Sequence, residues 1–200
     1  KNLTFEPSLN IPTPENYVLG PGDEVIIDIW GNSEATVRQV ISPEGSINVS
    51  NIGPIYLNGK RIQEASSYLK TMFSRIYSDL ASENPSTFLK VSLGQIRSIQ
   101  VNVMGEIVMP GTYMLPSLAT VFHALYAAGG VNNVGTLRDV VLYRNGKAFK
   151  HVDVYDYIMN GNNSFDITLQ DGDLINVGTY EKIVTVAGKV KRPMRYEMKG

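Results

Sequence analysis

The chain has 200 residues and no cysteine. That excludes disulfides, thiol nucleophiles and thiolate metal sites, while fitting any compartment. Histidine is almost as scarce, with only His123 and His151. Neither stands in an HxxxH or HxH pattern, so no imidazole-anchored metal site is expected, and both read as helix-surface, strand or core residues. No apolar run approaches the roughly 20 residues that span a bilayer, and no signal peptide opens the chain. With a formal net charge of −1, no overall attraction to nucleic acid or to an acidic membrane is expected.

The usual chemical motifs are missing as well. Gly20-Pro21-Gly22-Asp23 has the glycines of a phosphate loop, but a strand and not a helix follows it, so it reads as a tight turn. Asp171-Gly172-Asp173 supplies two carboxylates where a calcium loop needs about five ligands over twelve residues. No serine lies in a Gly-x-Ser-x-Gly elbow. Glu44, Asp153 and Asp156 would need an unforeseen fold to pair with other carboxylates. No catalytic, cofactor-binding or metal-binding residue is assigned, and the chain is read as a non-enzyme without cofactor. Trp30 and the eleven tyrosines are able to stack on sugar rings, yet their spacing suits core or strand-face positions.

What is present is a soluble composition, 43% hydrophobic and 18% charged, with uneven charge. From Lys182 to Gly200 there are six bases (Lys182, Lys189, Lys191, Arg192, Arg195, Lys199) and one acid, Glu197. Residues 1–30 carry five acids and one base. Such asymmetry marks a solvated face or, in a sharper reading, contact between oppositely charged ends of neighbouring subunits.

Residues 1–16, with three prolines, predict an extended arm. A turn at 20–23 leads to a strand over Val25–Trp30, and short strands over 36–59 are separated by Pro43-Glu44-Gly45, Gly53-Pro54 and Asn58-Gly59. Ile62, Ala65, Leu69, Met72, Phe73, Ile76 and Leu80 recur at three- and four-residue steps, which predicts a helix over 60–82. A strand over 87–93 follows. Segment 98–180 reads as a second unit: paired strands, a helix capped by Ser117 with Leu118, Val121, Phe122, Leu125 and Ala128 inward, a hairpin through Asn145-Gly146, and a last strand pair or strand-turn-strand over 166–178 around Asp171-Gly172-Asp173.

"VNVMGEIVMPGTY" (101–113) then recurs 83 positions later as "VTVAGKVKRPMRY" (184–196). Val101/Val184, Val103/Val186, Gly105/Gly188, Pro110/Pro193 and Tyr113/Tyr196 are identical. Glycine and proline at fixed separation encode backbone geometry, so the match predicts a tandem module whose second copy begins near Lys182. With no initial Met and a stop inside that copy, the chain reads as a piece of a longer protein.

"YVLGPGDEVIIDIWG", then "SPEGSINVSNIGPIYLNGKRIQEA", a helix and a strand, resembles the polysaccharide export domain of Wza-like outer-membrane proteins. Gly20, Pro21, Gly22, Asp23, Glu44-Gly45, Ile52-Gly53 and Gly59 carry the match. "VNVMGEIVMPGTY", "ATVFHALYAAGGVNNVGTLRDVVLYRNGK" and "LQDGDLINV" are similar to the β-grasp-related SLBB module of the same family. The lipobox cysteine and the outer-membrane helix common in the family are not in the chain, and the helix-to-strand connection in "SRIYSDLASENPSTFLKV" is longer than usual there.

The expected fold is α+β: a small mixed-sheet export domain, a β-grasp-like SLBB module and the start of another. The expected boundaries are arm 1–16, export domain 17–97, SLBB module 98–181 and truncated second module 182–200. The resemblance implies a lipoprotein subunit of the outer membrane, here its periplasmic portion, which exports capsular or exopolysaccharide by ring assembly around a polar conduit. It implies as partners identical subunits, the exported polysaccharide and an inner-membrane polysaccharide co-polymerase or kinase. Nucleic acid is not expected, and membrane contact is left to segments outside the chain. Glycan-contacting residues are not identified. Two rival readings remain, a small-molecule-binding β-grasp module and a secreted scaffold or adhesion domain.

Overall fold

The structure is a computed structural model that describes residues 14, 16–161, 167–191 and 193–198. Most of the predicted arm over 1–16 lies outside them. The chain divides into two compact units, Lys1–Arg97 and Ser98–Gly200, and the class is α+β.

In the first unit, β1 (Glu24–Gly31) is the centre of a three-stranded antiparallel sheet, between β2 (Ala35–Val40) and β5 (Thr87–Leu93). The alternation along β1 is strict: Val25, Ile27 and Ile29 are buried while Glu24, Ile26, Asp28 and Trp30 are not. A two-residue period on a pleated strand sends one set inward and leaves the other in water. A small hairpin, β3 (Ser46–Val49) and β4 (Gly53–Tyr56), contributes the buried Ile47 and Ile55. Helix α1 (Ile62–Phe73) lays Ile62, Ala65, Leu69 and Phe73 inward and packs on β5. Its first turn is closed by the Arg61 N–H, which donates to Glu64 Oε2 at 3.1 Å, half of a capping box.

The helix is shorter than the predicted 60–82. After Phe73 the backbone leaves helical geometry, reaching φ −109° and ψ 80° at Tyr77, and a 3₁₀ turn takes Ser78–Ala81. Leu80 is buried through that turn and not through a helical face, and Ile76 is exposed. The apolar period thus ran on while two different backbones supplied the burial. Asp79 holds the turn to the next strand: its Oδ2 accepts from the Ser86 N–H (2.7 Å), the Ser86 hydroxyl (2.8 Å) and the Thr87 N–H (2.6 Å).

The Ser86 hydroxyl first, then the Ser86 and Thr87 donors, hold the Asp79 carboxyl below the usual aspartate range against a smaller upward pull from desolvation. A carboxylate whose pKa is lower folded than unfolded stabilises the fold above its unfolded pKa, and the contribution is lost as pH falls through the folded value. Urea midpoints at pH 6 and pH 3 should therefore differ more for the native chain than for Asp79→Asn. Equal acid losses in the two proteins would remove Asp79 as the cause.

The second unit is built on a five-stranded sheet in the order β7-β6-β10-β8-β9. The strands are β6 (Ser98–Gly105), β7 (Gly111–Pro116), β8 (Gly135–Arg144), β9 (Lys147–Val152) and β10 (Leu174–Thr179). The mixed character expected of the sheets resides here, because β10 runs parallel to β6 and antiparallel to β8. The first unit's described pairings are antiparallel. Helix α2 (Val121–Ala127) lays Val121, Ala124 and Leu125 on a core that includes Val101, Val103, Leu142 and Ile175.

Its cap is Thr120 and not the predicted Ser117, and His123 at the third helical position accepts from the Thr120 N–H through Nδ1 at 3.2 Å. Phe122, expected inside, is exposed, since the start set by Thr120 turns Ala124 inward in its place. Asn145 and Gly146 take φ +52° and +73°, as a type I′ hairpin requires. A short helix α3 (Val154–Asn160) was not foreseen, because seven residues are too few to establish a period.

A last hairpin, β11 (Ile183–Val186) with β12 (Met194–Glu197), repeats the β6–β7 opening in detail. Val184 faces Tyr196 as Val101 faces Tyr113. The Val190 N–H donates to the Gly188 carbonyl at 2.9 Å, as the Ile107 N–H does to Gly105 at 2.9 Å. Gly188 and Gly105 both hold positive φ, +92° and +83°.

Candidate functional site

The polar residues singled out in the sequence are occupied by structural work. Asp23 is fully buried, and its carboxylate accepts from the Gly20 N–H (2.9 Å), the Tyr17 hydroxyl (2.7 Å) and the Arg97 N–H (2.9 Å), and pairs with the Arg97 guanidinium at 2.5 Å. The glycine turn of 20–23 is thus a strand-entry device and no phosphate loop. Asp173 repeats it: almost fully buried, it accepts from the Gln170 N–H (2.8 Å) and takes a two-pronged pair from Arg144 at 2.9 and 2.7 Å. Asp171 accepts from the Gln100 N–H at 2.7 Å. Asp171 spends Oδ1 on a turn amide and Asp173 is taken up by a guanidinium, and among the described residues no group of three His, Asp or Glu is placed to hold a metal ion.

Glu44 sits on an exposed turn, its carboxyl drawn below the usual range by its own backbone N–H and then the Ser42 hydroxyl. His151 is exposed on β9, 3.2 Å from Asp139. Asp153 pairs with Arg138 at 3.2 Å, and Asp156 accepts from the Asn160 amide at 2.7 Å. A cleft of about 410 Å³ lies among Arg138, Asp153, Tyr155, Asp156, Met159 and Asn160. Its guanidinium is already paired with Asp153 and lies 4.2 Å over the Tyr155 ring.

Among the described residues, exposed aromatic rings and polar groups lie together on the open face of the β2-β1-β5 sheet. Residues directly opposite one another in an antiparallel pair share a face. Cross-strand register places Trp30 beside Phe88, Asp28 between Thr36 and Lys90, and Ile26 between Arg38 and Ser92. Trp30 and Phe88 are each 45% exposed, and their rings stack with centroids 5.8 Å apart and planes inclined by 24°. With about half of each ring already covered, leaving the rest in water forgoes about 1 kcal/mol for each, which makes the pair a candidate contact surface. The ring faces suit the C–H face of a sugar, and Thr36, Asp28, Lys90 and Arg38 supply hydroxyl-directed donors and acceptors next to them. Asp28 accepts from the Thr36 hydroxyl at 2.8 Å, which holds its carboxylate on this face.

Sequence reasoning placed Trp30 on a strand but not in this pair. Phe88 lies 58 positions away, and only the β1–β5 register brings the two rings together. A legible signal was the parity of Trp30, on the same alternation as Asp28 and opposite to Ile27 and Ile29.

Comparison with known proteins agrees with this architecture. Residues 11–104 match the family of polysaccharide biosynthesis/export proteins, and residues 99–177 match the SLBB domain. Two curated relatives, both named polysialic acid transport protein KpsD from Escherichia coli, are each 26% identical over 185 residues. The match takes in 92% of this chain and 32% of either relative, so the chain spans about a third of the proteins it resembles. Consecutive matches carry the conclusion: an export-family domain over residues 11–104 is followed by an SLBB domain over residues 99–177, the order that the resemblance to Wza-like polysaccharide export proteins implied.

Proposed function

We propose that the chain is the periplasmic portion of an outer-membrane subunit that exports capsular or exopolysaccharide without catalysis. The observation that supports this best is the tandem match of export and SLBB families over a chain in which Asp23, Asp79, Asp171 and Asp173 are engaged in holding turns. In this reading the arm spans 1–16, the export domain 17–97, the SLBB module 98–181, and a second module begins at 182. Identical subunits assemble as a ring around a polar conduit, with an inner-membrane co-polymerase or kinase as a further partner. The Trp30–Phe88 face makes weak, repeated contacts with passing sugar rings. A conduit needs contacts weak enough to release its cargo, and an open sheet face supplies that better than an enclosed pocket.

Deleting the gene from its host and staining for surface polysaccharide tests the reading. Loss of surface polysaccharide with retention inside the envelope, restored by the native gene, is expected. Normal surface polysaccharide in the absence of a paralogue defeats it. Restoring the gene as Trp30→Ala/Phe88→Ala should return surface polysaccharide at a several-fold lower level with equal protein abundance.

A further inference from the structure

The β11–β12 hairpin carries charge that the fold leaves unused. Its acid, Glu197, is consumed inside the unit. Its carboxylate accepts from the Thr136 hydroxyl and from the Leu137 N–H (3.2 Å). The Glu197 N–H donates to the Tyr155 hydroxyl at 3.1 Å, and Arg138 Nε donates to the Glu197 carbonyl at 3.2 Å. By contrast, Lys189, Lys191 and Arg195 are exposed and have no ion pair or hydrogen bond among the described residues.

The internal repeat shows which of these exposures belong to the module. An 83-residue offset sets Lys191 on Val108, which is 53% exposed within a complete module, and Arg195 on Thr112, which is also exposed. Lys189 falls on Glu106, whose carboxylate accepts from the Asn132 amide at 2.7 Å. Lys182 is exposed as well, but it falls on the buried Ile99, an inward position of the complete module, and is set aside. The same turn therefore carries Glu106 and Val108 in one copy and Lys189 and Lys191 in the next.

We propose that this hairpin is a docking surface for an anionic polysaccharide, one bearing carboxylates along its length. The inference rests on the export reading and narrows its cargo to an acidic glycan. Charge complementarity selects that occupant. A second copy of the chain is the weaker partner: of the described acids near the N-terminus, Asp23 is held by Arg97 and Glu24 by the Gln95 N–H (3.0 Å), and Asp28 stands opposite the cation Lys90 on its own sheet. Exposed cations on a turn attract a polyanion at long range and release it readily, since each contact is solvated and screened by salt.

The test measures binding of the purified chain to a carboxylate-bearing polysaccharide, to a neutral polysaccharide of equal length, and to phosphatidylcholine vesicles containing phosphatidylserine. The proposal expects binding to the acidic glycan that weakens steeply with salt, little binding to the neutral one, and a loss of at least roughly tenfold at low salt in Lys189→Gln/Lys191→Gln/Arg195→Gln. These side chains are exposed, so an unchanged thermal midpoint should show that the variant folds. Equal binding of neutral and acidic glycans, an unaltered affinity in the triple variant, or retention on vesicles but not on glycan each overturns it. The readout is independent of export. Intact surface polysaccharide after gene deletion would defeat the export reading, while the binding assay decides the hairpin by itself.

Discussion

Asp23→Ala is expected to destabilise the first unit by about 2–4 kcal/mol, from buried donors left without an acceptor and a partly exposed guanidinium left without its counter-ion. The Arg97 guanidinium would lose its counter-ion, and the Gly20 N–H and Tyr17 hydroxyl would each lose an acceptor. Because the whole stability of a domain is about 5–15 kcal/mol, this is a large share. Asp173→Ala should act similarly on the second unit, where Arg144 and the Gln170 N–H depend on it. Urea unfolding, followed by Trp30 fluorescence for the first unit and by circular dichroism for the second, measures both. Asp23→Ala/Arg97→Met should recover part of the loss by removing the stranded charge, but the turn amide stays unsatisfied, so recovery is incomplete. A cost below about 1 kcal/mol for Asp23→Ala would show that water replaces the carboxylate and that the site is not closed.

The second large effect separates the two copies of the repeat. Gly105→Ala should cost about 2–5 kcal/mol, from a left-handed backbone that disfavours a side chain and from crowding in a packed region. At φ +83° an added Cβ would fall far inside van der Waals contact distance of the Val177 carbonyl oxygen on β10. Gly188→Ala meets only the first penalty, about 1 kcal/mol, because nothing lies within 4 Å of its added Cβ. Thermal unfolding of the two variants should show a large drop for Gly105→Ala and a shift of a few degrees for Gly188→Ala. Equal shifts would mean that the glycine is required for its φ alone in both copies, and that the approach of β10 relaxes at little cost.

The recurrence of "VNVMGEIVMPGTY" shows how far a sequence speaks. Glycine and proline constrain φ within one or two residues, so their spacing was readable, and the hairpin register it implied recurs at Val184–Tyr196. The strict alternation of Val25, Ile27 and Ile29 likewise encoded a half-buried strand, because parity is a property of one segment. Where burial came through two different backbones in succession, the same kind of pattern misled: Leu80 keeps the period of α1 but is reached by a 3₁₀ turn that Asp79 ties to Ser86 and Thr87. Ser117 gave way to Thr120 as the helix cap because the His123 side chain returns to the Thr120 N–H, a choice between neighbouring candidates that propensity does not make.

Local chain geometry, then, was determined by the sequence itself: turns, strand parity, the repeat, and the α+β class that follows from their order. Interactions that act over one to four residues are written in adjacent letters. Tertiary structure alone decided which carboxylates were consumed and which cations were left over, since Asp23 meets Arg97 across 74 positions, Asp173 meets Arg144 across 29, and Glu197 meets Thr136 across 61. It also decided that Trp30 stands beside Phe88. Such pairings depend on strand register, and register is set by the burial of whole faces and not by the residues that finally touch.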